Sequence, residues 1–158
     1  MKSLVLIGAG GFARTLSDIV SQTGQFDKVV LLDDVKKEGL SGKCSDYIKF
    51  VDKETEFYPA ISDNSARQRW IEELHSKKVK IASIIHPSAY VSPTVTMAEG
   101  IVILPGAIVN TGSRIESGVL VNCGAVLDHD CVVNNYAHIK PRAVVKAMST
   151  VSPGAIVE

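Results

Sequence analysis

The 158-residue sequence has no excess of charge of either sign: 17 Lys and Arg stand against 17 Asp and Glu, for a formal net charge of zero. No five basic residues run together, so the electrostatic footprint that holds nucleic acid or anionic lipid is missing, and neither is expected as a partner. Long apolar runs are missing too. The run near the start, Leu4–Ile7, ends in glycine, short of the roughly 7 residues of a signal-peptide core. Nothing approaches the ~18 apolar residues of a membrane span, so the reading is a soluble, cytoplasmic chain with no membrane insertion. Cysteine is scarce and odd in number: Cys44, Cys123 and Cys131 match no zinc spacing and read as reduced, packed thiols, with no metal expected.

Charge is locally scarce as well. Between Ala89 and Leu127 only Glu99, Arg114 and Glu116 are charged, and then Asp128, His129 and Asp130 follow in a row. What those three groups can do depends on the structure around them.

The length suits two small units, since larger chains tend to split at roughly 100 to 200 residues. In the first half, "KSLVLI" reads as a buried strand and "GAGGFA" follows it directly. Phe12, Leu16, Ile19 and Val20 then fall on one helical face before Gly24 offers a C-cap, and "KVVLLDD" supplies a second strand. This strand, glycine turn, helix and strand form a βαβ unit. Gly8-x-Gly10-x-x-Ala13 fits the phosphate-binding fingerprint, and Asp33 lies where an acid commonly meets a ribose hydroxyl. A tight strand-to-helix turn wants glycine for steric reasons as well, so the glycines alone decide nothing. "EFYPAI" reads as a further strand, Ser62-Asp63-Asn64 as caps of a helix with Ala66, Trp70, Ile71 and Leu74 on one face, and "KIASIIH" as the last strand of the unit. Asp63 and Asn64 also sit at the carboxyl end of a strand, where ligands bind in open α/β sheets. Only one mononucleotide half and a remainder fit before residue 87, which favours a mononucleotide ligand over a dinucleotide.

The second half has a period of six. From Ala89 it reads AYVSPT, VTMAEG, IVILPG, AIVNTG, SRIESG, VLVNCG, AVLDHD, CVVNNY, AHIKPR, AVVKAM, STVSPG, AIVE. The third place is aliphatic twelve times without exception, from Val91 through Met97 to Val157; with 46% hydrophobic residues overall, chance would give that on the order of once in ten thousand. Such a period is the signature of a β-helix whose triangular coils each hold three hexads. Glycine recurs at the sixth place, where a corner needs positive φ. Its replacement by Asp130, Tyr136, Arg142 and Met148 predicts corners built differently there, with Asn134 and Asn135 partly substituting. The array stops mid-hexad at Glu158 without a capping unit. In this frame Leu127 is core and Asp128, His129 and Asp130 lie at a corner, where a carboxylate beside an imidazole suits a general base. Asn122 and His138 add polar groups to the same region. His75 and His86 look structural.

The succession of "GAGGFAR", "LLDD", "AISDN", "IIHPSAYVSP", the hexapeptide repeats, "NCGAVLDHDCVV" and "HIKP" resembles the bacterial sugar acetyltransferases of the PglD/NeuD type over essentially the whole chain. The resemblance implies an α/β domain plus an all-β solenoid: a Rossmann-like domain over residues 1–86 that binds a UDP-sugar, then a left-handed parallel β-helix over 87–158 that forms a homotrimer and binds acetyl-CoA between subunits. It implies His129 as the catalytic base with Asp130 as its carboxylate partner, Asn122 beside that site and His138 near the acetyl-CoA. Gly8, Gly10, Gly11, Asp33, Asp34, Asp63 and Asn64 match the sugar-nucleotide pocket. Arg142 stands where the family has glycine in "HI-x-PG", and by that comparison the β-helix is shortened at its C-terminus. The expected activity is transfer of acetyl from acetyl-CoA to the amino group of a UDP-amino sugar in bacterial glycan biosynthesis. Alternatives are O-acetylation of a sugar of the sialic-acid kind and a non-catalytic sugar-nucleotide-binding relative. A nicotinamide oxidoreductase is disfavoured, because a β-helix replaces the second nucleotide half.

Overall fold

The computed structural model describes residues 1–158. They divide into two compact units, Met1–Ala82 and Ser83–Glu158.

In the first unit, β1 (Ser3–Ile7), α1 (Gly11–Thr23), β2 (Lys28–Leu32), a short 3-10 helix (Cys44–Phe50), β3 (Thr55–Pro59), α2 (Asn64–Ser76) and β4 (Lys80–Ile81) follow in order. The sheet is all parallel in the order β2-β1-β3-β4. β1 lies inside it, which explains why Leu4 to Ile7 are all buried and read as an unbroken apolar run rather than an alternation. Helix α1 buries Ala13, Leu16, Ile19 and Val20 and ends at Gly24 in the left-handed conformation, as its pattern predicts, but Phe12 is only half-buried. Helix α2 departs further from expectation: Arg67, Ile71 and Leu74 form its buried face, while Ala66 and Trp70 stay half-exposed.

The chain runs from β1 outward to β2 and returns to the other side of β1 as β3. A crevice opens beyond the strand ends wherever such a reversal occurs. "KIASIIH" is not one strand: Lys80–Ile81 pairs with β3, whereas Ile84–Ile85 pairs with Val102–Ile103 of the second unit.

That second unit is a parallel β-helix of two-residue strands stacked every 18 residues on three faces. The first face stacks Ile84–Ile85, Val102–Ile103, Leu120–Val121, His138–Ile139 and Ile156–Val157; the second runs from Tyr90–Val91 to Val144–Val145; the third runs from Thr96–Met97 to Thr150–Val151. Third-place residues from Ile103 to Val151 fill the interior, with small first-place residues such as Ala107, Ala125 and Ala137 beside them. Met97, near the open end of its face, is 40% exposed despite the pattern, because no earlier coil lies on it.

The corners correct the sequence reading. Asp130, Tyr136, Arg142 and Met148 have φ between 57° and 63°, the same left-handed conformation as Gly106, Gly112 and Gly124, and neither Asn134 nor Asn135 takes that role. Backbone pairing with the coils on either side imposes the corner on whatever residue stands there, at a cost of about 1–2 kcal/mol for a side chain other than glycine.

Candidate functional site

The ends of β1, β2 and β3 frame a cavity of about 390 Å³, lined among others by Gly8, Gly10, Gly11, Asp33, Asp34 and Trp70. Gly8 turns the chain at φ 99°, and a Cβ there would stand 3.1 Å from the Ala60 carbonyl oxygen, so the approach of β1 to β3 requires glycine. Gly10 caps α1 without any side-chain hydrogen bond, which leaves first-turn N–H groups available to an anion. Asp33 fixes the loop opposite. Its carboxylate accepts the N–H groups of Ala9 and Val35, each at 2.9 Å, and Lys37 Nζ lies 3.3 Å away. The Val35 N–H, with Ala9 and Lys37 assisting against the burial penalty, holds the Asp33 carboxyl below the usual range. Asp34 accepts the Cys44 N–H at 3.1 Å. Asp33 and Asp34 also border an adjoining cavity of about 560 Å³ that carries Lys36, Lys37 and Lys43.

Asp63 and Asn64 do not line the cavity. Asp63 Oδ1 caps α2 by accepting the Ala66 N–H at 2.8 Å, and Asn64 Oδ1 accepts a hydrogen bond from the buried Arg67 at 2.9 Å. Helix starts demand acceptors for their free N–H groups, so a polar pair at that point is consumed by the fold. Ser62 is the residue of that run that reaches the cavity. Trp70, Phe12 and Cys44 are lining residues that the sequence pattern assigned to the core or left unassigned. Periodicity marks a helix face but cannot tell its buried centre from its edge.

In the second unit, the corner after Val126–Leu127 carries Asp128, His129 and Asp130. His129 Nδ1 lies 2.8 Å from Asp130 Oδ2, and the His129 backbone N–H donates to Asp128 Oδ1 at 2.8 Å. The backbone of the corner is held from both sides: Asp130 N–H donates to the Thr111 carbonyl and Met148 N–H to the His129 carbonyl, each at 2.9 Å. The hydrogen bond to Asp130 raises the His129 pKa above 6.5, against a smaller desolvation effect and with the Asp128 charge adding to it. Both side chains face solvent, with His129 46% and Asp130 59% exposed. An oriented imidazole with a free Nε2 can take a proton from an incoming nucleophile.

Asn122 and His138 form a pair of their own, Nδ2 to Nε2 at 3.0 Å, with His138 nearly buried. They belong to the first face and the corner that follows it, whereas His129 follows the second face, so one chain does not bring them into the same cluster. No group of three His, Cys, Asp or Glu side chains is placed to hold a metal ion. No helix is long and apolar enough to cross a membrane.

Comparison with known proteins adds to this geometry. The PglD N-terminal domain family matches residues 3–74, nearly all of the first unit. Over 112 residues, 66% of this chain and 52% of the relative, the sequence is 30% identical to UDP-N-acetylbacillosamine N-acetyltransferase of Bacillus subtilis (strain 168). The chain is similar to the PglD-type sugar acetyltransferases, and its first unit carries the match to their N-terminal domain. It spans about half the length of that curated relative. Both units together are similar to solved structures. The acetyltransferase domain of PglB from Neisseria gonorrhoeae FA1090, in complex with acetyl coenzyme A, superposes with a TM-score of 0.86 at 28% identity, over 98% of this chain and 81% of that one. A histidine-to-asparagine variant of perosamine N-acetyltransferase from Caulobacter crescentus, in complex with CoA and GDP-perosamine, gives 0.88 at 25% identity, over 99% of this chain and 76% of that one.

Proposed function

We propose that the chain transfers acetyl from acetyl-CoA to the amino group of a UDP-amino sugar in bacterial glycan biosynthesis, with His129 as general base. The observation that carries this reading is the 2.8 Å contact between His129 Nδ1 and Asp130 Oδ2. When Nδ1–H donates to that carboxylate, Nε2 presents its lone pair outward. As the sugar amine attacks the thioester carbonyl carbon, Nε2 takes the amine proton, the C–S bond breaks, and the coenzyme leaves as a thiolate that recovers a proton. A positioned base of this kind contributes about 10² to 10⁴-fold.

The nucleotide end of the substrate occupies the cavity of the first unit. The uncapped start of α1 faces the diphosphate, and Asp33 and Asp34 on the β2 loop hold the nucleoside. The kinship with a UDP-sugar N-acetyltransferase supports nitrogen as the acceptor atom. Acetyl-CoA and nucleotide sugars are cytoplasmic metabolites, and the reading assigns the protein to that compartment.

The exposure of His129 calls for an enclosing surface. The outward column of the second face, just before the corner, exposes Tyr90 by 55%, Ile108 by 38% and Val144 by 57%. An apolar stripe of that kind suits packing against further copies in a homotrimer, with the acetyl donor held between subunits and Asn122 and His138 of one copy near it.

The test is calorimetric binding of a UDP-sugar and of acetyl-CoA, followed by acetyl transfer with amine and hydroxyl acceptors. Binding of both with transfer to the amine supports the proposal. UDP-sugar binding with no acetyl-CoA binding overturns it and leaves a binding module. Transfer only to a hydroxyl replaces N- by O-acetylation.

A further inference from the structure

The turn that carries His129 and Asp130 is closed differently from most of its neighbours. The corners starting at Leu104, Asn122, Asn134, Lys140, Lys146 and Ser152 each hold a direct hydrogen bond, 3.1–3.3 Å, from the N–H three residues on to the starting carbonyl. Between Asp128 and Cys131 a side chain takes over that bond. Ser113 Oγ, from the preceding coil, donates to the Asp128 carbonyl at 3.0 Å and accepts the Cys131 N–H at 3.1 Å. One oxygen atom is thus inserted into the mouth of the turn.

Ser113 is 1% exposed and occupies the first hexad place, which elsewhere buries Ile101, Ala107, Val119, Ala125 and Ala137. A hydroxyl in such a column is costly unless both of its hydrogen-bonding capacities are met, and here they are met by the two ends of one turn. Its neighbour adds a second observation: a Cβ built on Gly112 would overlap Asp130 Oδ1. Residues 112 and 113 together form the floor beneath the His129–Asp130 pair, one by making room for the carboxylate and the other by holding the turn open.

We propose that Ser113 is a positioning residue for the acetyl transfer: its hydroxyl wedges the Asp128–Cys131 turn open, and that opening sets the approach of the Asp130 carboxylate to the His129 ring. Ser113 touches neither side chain and acts through the backbone that carries them. The inference rests on the reading of His129 as the base.

Without the hydroxyl, the Cys131 N–H can bond the Asp128 carbonyl directly, as in the six corners named above, and the turn contracts. Alanine is already the first-place residue of neighbouring hexads, so Ser113→Ala should fold. The expected result is a kcat lowered about 10-fold, within the share of a general base, with KM for both substrates changed less than two-fold. The second readout is the NMR titration of the His129 ring in the intact protein, on which Asp130 and Asp128 are the charges that act. The coil before contributes the neutral Asn110 and Thr111, and the coil after contributes Lys146, one residue past the Leu127–Val145 pair. In Ser113→Ala that titration should move down toward about 6.5, and Ser113→Thr, which keeps the hydroxyl, should restore both kcat and titration. Ser113→Val supplies a second hydroxyl-free variant should alanine fail to fold, since Val119 fills the same place one hexad on. Wild-type kcat and an unshifted titration in either variant overturn the proposal. Full activity in His129→Ala overturns the base assignment instead, and the titration then still decides whether Ser113 sets the pair.

Discussion

The two units present their polar groups in opposite ways. In the first, Asp33, Asp34 and the glycine turn converge on a cavity that a single chain completes, with the Asp33 carboxylate tied to two backbone N–H groups before any ligand arrives. In the second, His129 and Asp130 stand on a convex corner with about half of each side chain in solvent. A parallel sheet with a topological switch point makes a crevice of itself, whereas a triangular solenoid offers faces and edges and can enclose a ligand only against another surface. On the proposed function, recognition in the first unit is local, and chemistry in the second depends on assembly.

The comparison breaks most directly at His129. His129→Ala should lower acetyl transfer by about 10² to 10⁴-fold while calorimetry shows nucleotide-sugar binding within two-fold of wild type; transfer at the wild-type rate would reduce the charged corner to an ordinary surface turn. The reciprocal change is Gly8→Val. A side chain at φ 99°, 3.1 Å from the Ala60 oxygen, should cost about 1–3 kcal/mol of stability and weaken nucleotide-sugar binding at least 10-fold, with acetyl-CoA binding unchanged. Loss of both ligands together would show that the two sites are not separable.

Asp130→Asn sharpens the electrostatics, because asparagine tolerates the left-handed corner and removes only the charge. A protonated His129 cannot accept a proton, so kcat/KM rises as pH passes through its pKa. Asp130 raises that pKa, and its neutralisation should move the rising limb to lower pH, toward about 6.5, with a lower plateau above it. A limb that stays in place would separate Asp130 from the titration. The smallest effect belongs to the corners themselves. Met148, 73% exposed at φ 59°, should gain about 1 kcal/mol in thermal unfolding on replacement by glycine, with activity retained. Asp130→Gly should show the same gain with activity lost, separating a corner that serves function from one that only turns the chain.

Much of this was legible in the residues. The hexad pattern located the core from Ile103 to Val151, and "GAGGFA" after an apolar run located the turn that lines the first cavity. The charge-poor surroundings of Asp128, His129 and Asp130 marked them before any geometry was known. Two readings were corrected for one reason, which is that a residue type does not say what it will be asked to satisfy. Asp63 and Asn64 are consumed by the helix start and by Arg67, and the corners without glycine adopt glycine's conformation. Trp70 and Ser113 were passed over because periodicity counts a residue as inside or outside and neither fits that division.

By itself the sequence determined what is periodic or local: a six-residue repeat dictates a stacked solenoid, a glycine turn between strand and helix dictates a βαβ unit, and an adjacent histidine and aspartate are close whatever the fold. Tertiary structure alone decided which groups separated in the chain would meet. Ser113 and the turn from Asp128 to Cys131 lie at least 15 residues apart, and only the 18-residue rise of one coil onto the next brings the hydroxyl into that turn. Local pattern is written in side-chain chemistry, whereas long-range pairing follows from backbone geometry accumulated over a whole coil.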